Sequence, residues 1–297
     1  MRILVTGASG WIGSASVTRL IAAGHHVLGL VRSDDAAAKV AALGAEAVRG
    51  ALDDLAGLRA AAARAEGVVH LGYNHDFSKM AAAAQTDRAA IDVFADVLQG
   101  TGGPLLIASG TLGLAPGRVG TEADTPDPAV HPRVANAAYT VGLAERGIRS
   151  IVVRFAPTVH GAGGDHGFLA VLARIAREKG VSAHIGAGAN RWPAVNRLDA
   201  AKLVQLAIDK ATPGSVLHAV AEEGIATRDI AAALGRFLGV PVESIPADRA
   251  AAHFDWLGMF FGTDAPASSV RTRELLGWTP THATLLEDIA AGHYPGR

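Results

Sequence analysis

Val5-Thr6-Gly7-Ala8-Ser9-Gly10-Trp11-Ile12-Gly13, entered from Met1-Arg2-Ile3-Leu4, is the stretch on which the fold of this chain turns. The run before it is short, apolar and β-prone. The run after it carries Trp11, Ile12, Val17, Leu20 and Ile21 at helical spacing and stops at Gly24. The order is strand, turn, helix, with glycines at every third position of the turn. Gly7 lets the chain leave the strand tightly, Gly10 lets the backbone approach a pyrophosphate with no Cβ in the way, and Gly13 lets the helix pack close to the strand. The helix N-terminus offers N–H groups and the positive end of its dipole to phosphate. Ser9, Trp11 and Ile12 lie between the glycines and are expected at the same contact. This is a dinucleotide-binding turn, spaced Gly-x-x-Gly-x-x-Gly rather than the commoner Gly-x-Gly-x-x-Gly.

Outward from the turn, strand patterns at 26–31, 45–49, 67–71, 104–108 and 150–155 alternate with helical ones at 34–43, 54–64, 78–99 and 133–146. That alternation predicts an α/β protein of Rossmann type, with a doubly wound parallel sheet and helices on both faces. From Ala156 the pattern loosens. Short apolar pieces at 182–185 and 192–195 are interspersed with helical stretches at 168–179, 199–210 and 227–238. The predicted organisation is a dinucleotide-binding domain over 1–155 and a smaller, mainly substrate-binding lobe over 156–297, with segments near 192–220 returning to the first domain. Ligands of such sheets bind at the carboxyl ends of the strands.

Composition narrows the function classes. With 297 residues, 49% of them hydrophobic, the chain can bury a large core. A net charge of -1 leaves no basic excess for phosphate-backbone contacts, so no nucleic-acid partner is expected. The absence of cysteine excludes disulfides, thiolate chemistry and Cys-bound zinc. No apolar run reaches the length of a spanning helix, and Met1-Arg2 leads straight into a strand, so no membrane association and a cytoplasmic location are expected. Neither Asp53-Asp54 nor the scattered histidines have metal-ligand spacing, and no Gly-x-Ser-x-Gly elbow is present.

Six stretches in order resemble the extended or atypical short-chain dehydrogenase/reductases, the NAD-dependent epimerase/dehydratase family. They are Thr6 to Gly13; Arg49-Gly50-Ala51-Leu52-Asp53-Asp54; Val69-His70-Leu71-Gly72; Val153-Arg154-Phe155-Ala156-Pro157-Thr158-Val159-His160-Gly161; Ala194-Val195-Asn196-Arg197-Leu198-Asp199; and Leu275-Leu276-Gly277-Trp278-Thr279-Pro280. The resemblance implies that Leu52 and Asp53 flank the adenine, that Leu71 and Gly72 line the nicotinamide side, and that Pro157, Thr158 and Val159 meet the carboxamide. Ala51 stands where the family usually carries Asp.

The second strand ends in Arg32-Ser33. A carboxylate here would serve the ribose 2′-OH of NAD, whereas an arginine pairs with the 2′-phosphate of NADP. The planar guanidinium suits phosphate and the serine adds a donor, so NADP(H) is the expected cofactor. Asp34 keeps NAD(H) as the alternative.

The resemblance also implies a Ser or Thr after the fifth strand and a Tyr-x-x-x-Lys pair on the next helix, because a phenol of pKa near 10 needs an adjacent cation to work at neutral pH. Ser109-Gly110-Thr111 supplies two hydroxyls, able to polarise a carbonyl oxygen or to cap the loop. The pair itself is broken. Tyr139 is followed four residues on by Leu143, and counting back from Gly147 and Arg154 places Arg133 near the Lys position and Ala129 near the Tyr position. Tyr139 therefore reads as a packing phenol or a displaced catalytic one. Tyr73, next to the nicotinamide stretch, is a second phenol. His160 and His166 flank Gly161-Ala162-Gly163-Gly164 at the expected substrate entrance, and imidazole titrates near neutrality. Trp192, with Phe168, Phe254, Trp256, Met259 and Phe260, supplies apolar substrate walls without a charged cluster for a sugar diphosphate.

The expected function is an NADP-dependent oxidoreductase moving hydride between the nicotinamide and a small or medium, largely apolar carbonyl, alcohol or imine. The alternatives are a nucleotide-sugar epimerase or dehydratase and a non-catalytic NADPH-sensing protein. A small-molecule substrate is the expected partner, with a homodimer compatible as the assembly.

Overall fold

Ile3 and Val5 enter one apolar layer and Leu4 the other, so the first strand is buried on both faces from its second residue onward. The computed structural model describes residues 1–74, 79–129 and 132–294. Its strands are β1 (Arg2–Thr6), β2 (His26–Val31), β3 (Glu46–Arg49), β4 (Gly67–His70), β5 (Pro104–Gly110), β6 (Arg149–Phe155), β7 (Thr158–His160), β8 (Ser182–Ile185), β9 (Arg191–Asn196), β10 (Ser215–Ala219), β11 (Glu222–Ala226) and β12 (Val242–Ile245). The seven-stranded central sheet runs β10-β6-β5-β4-β1-β2-β3, and each of its pairings is parallel. The chain reverses its direction of travel across the sheet between β1 and β4. That is the switch point at which such sheets bind ligands.

The helices are α1 (Trp11–Ala22), α2 (Asp34–Ala42), α3 (Leu55–Ala62), α4 (Met80–Leu98), α5 (Pro132–Gly142) and α7 (Arg197–Lys210), which cover this sheet, and α6 (Phe168–Lys179) and α8 (Thr227–Leu238), which pack beyond it. Val17 and Leu20 of α1, Val40 of α2 and Leu203, Val204 and Ile208 of α7 cover the Ile3/Val5 face. Leu58 of α3, Ile91, Phe94 and Leu98 of α4 and Ala137 of α5 cover the Leu4 face. The expected start of α4 at Ser78 lies outside the described residues. No helix among the described residues is long and apolar enough to cross a membrane.

Beyond β6 the chain builds a second body around a third apolar cluster, which includes Leu169, Leu172, Trp192, Ile230, Leu234, Phe254 and Phe261. β11, β9 and β7 form a three-stranded sheet, and β12 pairs with β8. β10, which had no separate sequence signal, extends the central sheet by pairing with β6. Residues 242–245 likewise had none, because the pattern Val-Glu-Ser-Ile buries none of its four residues completely.

Candidate active site

Each glycine of the turn does a different job. Gly7 has φ +67°, and a Cβ on it would lie 2.8 Å from the backbone nitrogen of Gly72 in the loop after β4. At Gly13 a Cβ would fall 1.9 Å from the carbonyl oxygen of Gly7, so helix and turn interlock there. At Gly10 it would meet only the Gly7 carbonyl oxygen, at 3.1 Å. Gly10 is also the N-cap of α1. No side chain caps that end, and its first turn carries no acidic residue, so the positive end of the helix is left to an external anion. Trp11 ties the turn across the switch point: its indole Nε1–H donates to the carbonyl of Val159 at 2.7 Å, and the Arg197 guanidinium stands over its ring at 4.2 Å.

From this turn a cleft of about 2240 Å³ runs along the carboxyl ends of the strands. It exceeds the roughly 300–1,000 Å³ of most small-molecule pockets, leaving room for two ligands. Gly7, Ser9, Gly10, Trp11, Ile12, Gly13, Arg32, Ser33, Leu52, Asp53, Leu71, Gly72, Pro157 and Val159 all stand on its wall. Arg32 is exposed there. Ser33 is the N-cap of α2 and accepts from the backbone N–H of Ala36 at 3.2 Å. Asp34 is not part of that wall and forms an exposed pair with Arg49.

Ser109, Thr111, Tyr73 and Arg133 meet farther along the same wall. Both hydroxyl residues are buried; Thr111 Oγ1 donates to the Phe155 carbonyl at 3.5 Å. The Arg133 guanidinium stacks over the Tyr73 ring at 4.2 Å, and its Nη2 donates to the carbonyl of Ala108 at 3.3 Å. Burial pushes the Tyr73 phenol above its ordinary pKa, against the opposing charge of Arg133. The residues that α5 presents to the cleft are Arg133, Val134, Ala137, Ala138 and Val141, with neither tyrosine nor lysine among them.

Behind this centre lies a buried polar chain. The N–H of Gly72 donates to Thr6 Oγ1 (3.0 Å), and that hydroxyl pairs with His70 Nδ1 (2.6 Å). His70 Nε2 meets Asp87 Oδ1 at 3.1 Å, and Asn136 donates to Asp87 Oδ2 at 2.7 Å. The Asp87 carboxylate can only accept, so His70 Nε2 carries the proton toward it, and in that Nε2–H tautomer Nδ1 accepts from the Thr6 hydroxyl. Burial opposes the charge of Asp87, yet His70, Asn136 and Arg133 hold its carboxyl below the ordinary range. Sequence reasoning missed Asp87. The available signal was its place within a buried stripe of α4, among Ala83, Ala84, Ala90, Ile91 and Phe94.

Glu122, Asp124 and Asp127 put carboxylates on another part of the wall, and one stretch of it is apolar. Phe168, Trp256, Met259 and Phe260 stand on it beside His166. Phe168 lies 5.6 Å from Trp256 and 6.2 Å from Phe260, centroid to centroid. Arg154 also reaches the cleft, with its donors directed to the Asp124 carbonyl (2.9 Å) and to His218 Nε2 (3.4 Å).

Five expected site residues stand elsewhere. His160 is fully buried and not at the entrance: its Nδ1 pairs with Asp288 at 2.5 Å, and burial keeps its pKa below the usual histidine value although Asp288 pulls the other way. Trp192 is also fully buried, because its indole donates to the Thr263 carbonyl at 3.1 Å and its ring packs behind Phe168. Thr158 turns inward and donates to the Pro193 carbonyl at 3.0 Å. Tyr139 is the packing phenol, lying beneath the Arg88 guanidinium at 3.3 Å on the side of α5 that meets α4. Phe254, expected as a wall, belongs to the third apolar cluster.

A phosphate-seeking glycine turn at the switch point of a doubly wound parallel sheet defines a dinucleotide-binding α/β protein. The chain belongs to the NAD dependent epimerase/dehydratase family, whose model matches residues 3–219. It is 46% identical over 296 residues to uncharacterized protein C2A9.02 of Schizosaccharomyces pombe, covering 99% of this chain and 100% of that protein. Uncharacterized protein YLL056C of Saccharomyces cerevisiae is 42% identical over 296 residues, with 99% of each chain covered. In fold the chain is similar to the UDP-glucose 4-epimerase of Thermus thermophilus solved as a complex with NAD. The TM-score is 0.77 at 21% identity, over 100% of this chain and 99% of that one.

Proposed function

We propose that the protein is an NADP-dependent oxidoreductase acting on a small or medium, largely apolar carbonyl or alcohol. The observation that carries the cofactor preference is at the end of β2: Arg32 and Ser33 stand on the cleft wall, whereas Asp34, the residue that would serve NAD, is not among its lining residues. The substrate class follows from the aromatic wall and from the cations beside it. Arg133 is stacked on Tyr73 and Arg154 is engaged by Asp124 and His218, which leaves no arginine pair for a sugar diphosphate.

The nicotinamide, when bound, supplies or accepts the hydride. The chain contributes position and protons. The uncapped end of α1 takes the pyrophosphate, with Gly10 leaving the approach open. Ser109, and Thr111 once its hydroxyl turns from the Phe155 carbonyl, polarise the carbonyl oxygen, and the Tyr73 phenol, kept protonated by burial, donates to it as charge develops. Counted back from Gly147 and Arg154, Arg133 falls near the position of the family's lysine, and its guanidinium stacks on the Tyr73 ring.

Fluorescence titration tests the cofactor half. NADPH is expected to bind at least about tenfold tighter than NADH, which needs only about 1.4 kcal/mol, and Arg32→Asp is expected to reverse the order. Equal affinities in the wild type would overturn the preference. A carbonyl panel without turnover, alongside intact NADPH binding, would instead favour the sensor reading that the broken Tyr-x-x-x-Lys pair supports.

A further inference from the structure

We propose that Asp87 is a positioning residue for the reacting end of the cofactor, acting through His70 and Thr6 on the backbone N–H of Gly72. The proposal rests on the reductase reading, in which Gly72 and Tyr73 face the nicotinamide. β4 ends at His70, and just past it the Leu71 N–H still donates to the Thr6 carbonyl of β1 at 3.3 Å. One residue farther, the Gly72 N–H has left the ladder, and the Thr6 hydroxyl takes it at 3.0 Å. A side chain thus holds the loop where the sheet runs out. Gly72, Tyr73 and Asp87 all stand on the cleft wall.

The hydroxyl can accept from that N–H only while its own proton points away. His70 Nδ1 accepts the proton at 2.6 Å, because the ring proton sits on Nε2, facing Asp87 Oδ1 at 3.1 Å. Asp87 therefore sets the direction of donation along the whole chain. The carboxylate is itself fixed: Asn136 Nδ2 donates to Oδ2 at 2.7 Å and to the Ala84 carbonyl at 2.9 Å, joining α5 to α4. Thr6, His70, Asp87 and Asn136 are all buried. A carboxylate is a costly occupant of a helix stripe otherwise made of Ala83, Ala84, Ala90 and Ile91, and apolar packing would serve stability alone at least as well.

Asp87→Asn keeps the volume. Its amide oxygen still accepts from Asn136, and its N–H then faces His70 Nε2, so the ring proton moves to Nδ1 and the Thr6 hydroxyl loses its acceptor. Nitrogen NMR of the histidine side chains, with the His70 ring assigned from its backbone, is expected to show Nε2 protonated in the wild type at neutral pH and Nδ1 protonated in the variant. NADPH should bind the variant about tenfold more weakly, while adenosine 2′,5′-bisphosphate, which lacks the nicotinamide half, should stay within about twofold of its wild-type affinity. Thr6→Val removes the acceptor from the other end of the chain and should repeat this split. Thr6→Ser, which keeps the hydroxyl, should stay near wild type. A wild-type His70 protonated on Nδ1 would overturn the proposal, as would unchanged NADPH affinity in Asp87→Asn and Thr6→Val. Loss of both ligands in step would also overturn it, since that marks general loosening. If the wild type turns over no carbonyl, the reductase reading fails, and the ring tautomer and the affinity split still decide the role of Asp87 because neither needs turnover.

Discussion

Gly10→Val is expected to weaken NADPH binding by about a hundredfold or more while leaving a folded protein. Gly10 has extended backbone, φ −79° and ψ 179°, which valine adopts readily. A Cβ there needs only a small adjustment against the Gly7 carbonyl, and the branched side chain then occupies the approach to the uncapped helix end. Gly13→Ala is the contrasting change. Its Cβ would fall 1.9 Å from the Gly7 carbonyl oxygen, so turn and helix must separate, and both thermal stability and cofactor binding should drop. Isothermal titration with NADPH, paired with thermal unfolding, distinguishes the two. Wild-type affinity in Gly10→Val would remove the basis for placing the pyrophosphate here.

The second large effect concerns turnover. Ser109→Ala combined with Thr111→Val should lower kcat by about 10²-fold or more, the usual result of removing donors to a developing oxyanion. Tyr73→Phe should approach the same loss, since it removes the phenol beside Arg133. Tyr139→Phe should change kcat only a few-fold, because that ring packs under Arg88 outside the cleft. Steady-state rates of NADPH oxidation on one carbonyl substrate rank the three variants. An inactive Tyr139→Phe beside an active Tyr73→Phe would reverse the assignment of the two phenols.

The glycine-turn end of the cleft was legible in the sequence because its geometry is local. Glycines at fixed offsets, Arg32 at a strand end and the residues after β4 act through backbone geometry that a few neighbouring residues determine. Thr158 is the exception, turned inward to Pro193 by the packing of β7 against β9. The substrate half is assembled from distant segments. His160 looks like an entrance residue beside its glycines, and only Asp288, 128 positions away, makes it a core residue. Trp192 and Trp256 both pack against Phe168, and only tertiary packing puts Trp256 rather than Trp192 on the cleft wall. Asp87 was hidden for a similar reason: its partners His70 and Asn136 come from β4 and α5.

The four tryptophans divide in a way that bears on optical measurements. Trp192 and Trp278 are sealed in apolar cores, whereas Trp11 stands at the glycine turn and Trp256 on the aromatic wall. The emission of this protein is therefore a sum of two silent indoles and two that each watch one end of the cleft. Replacing Trp11 or Trp256 by phenylalanine assigns a signal change to the arrival of the dinucleotide or of the substrate, with no label attached.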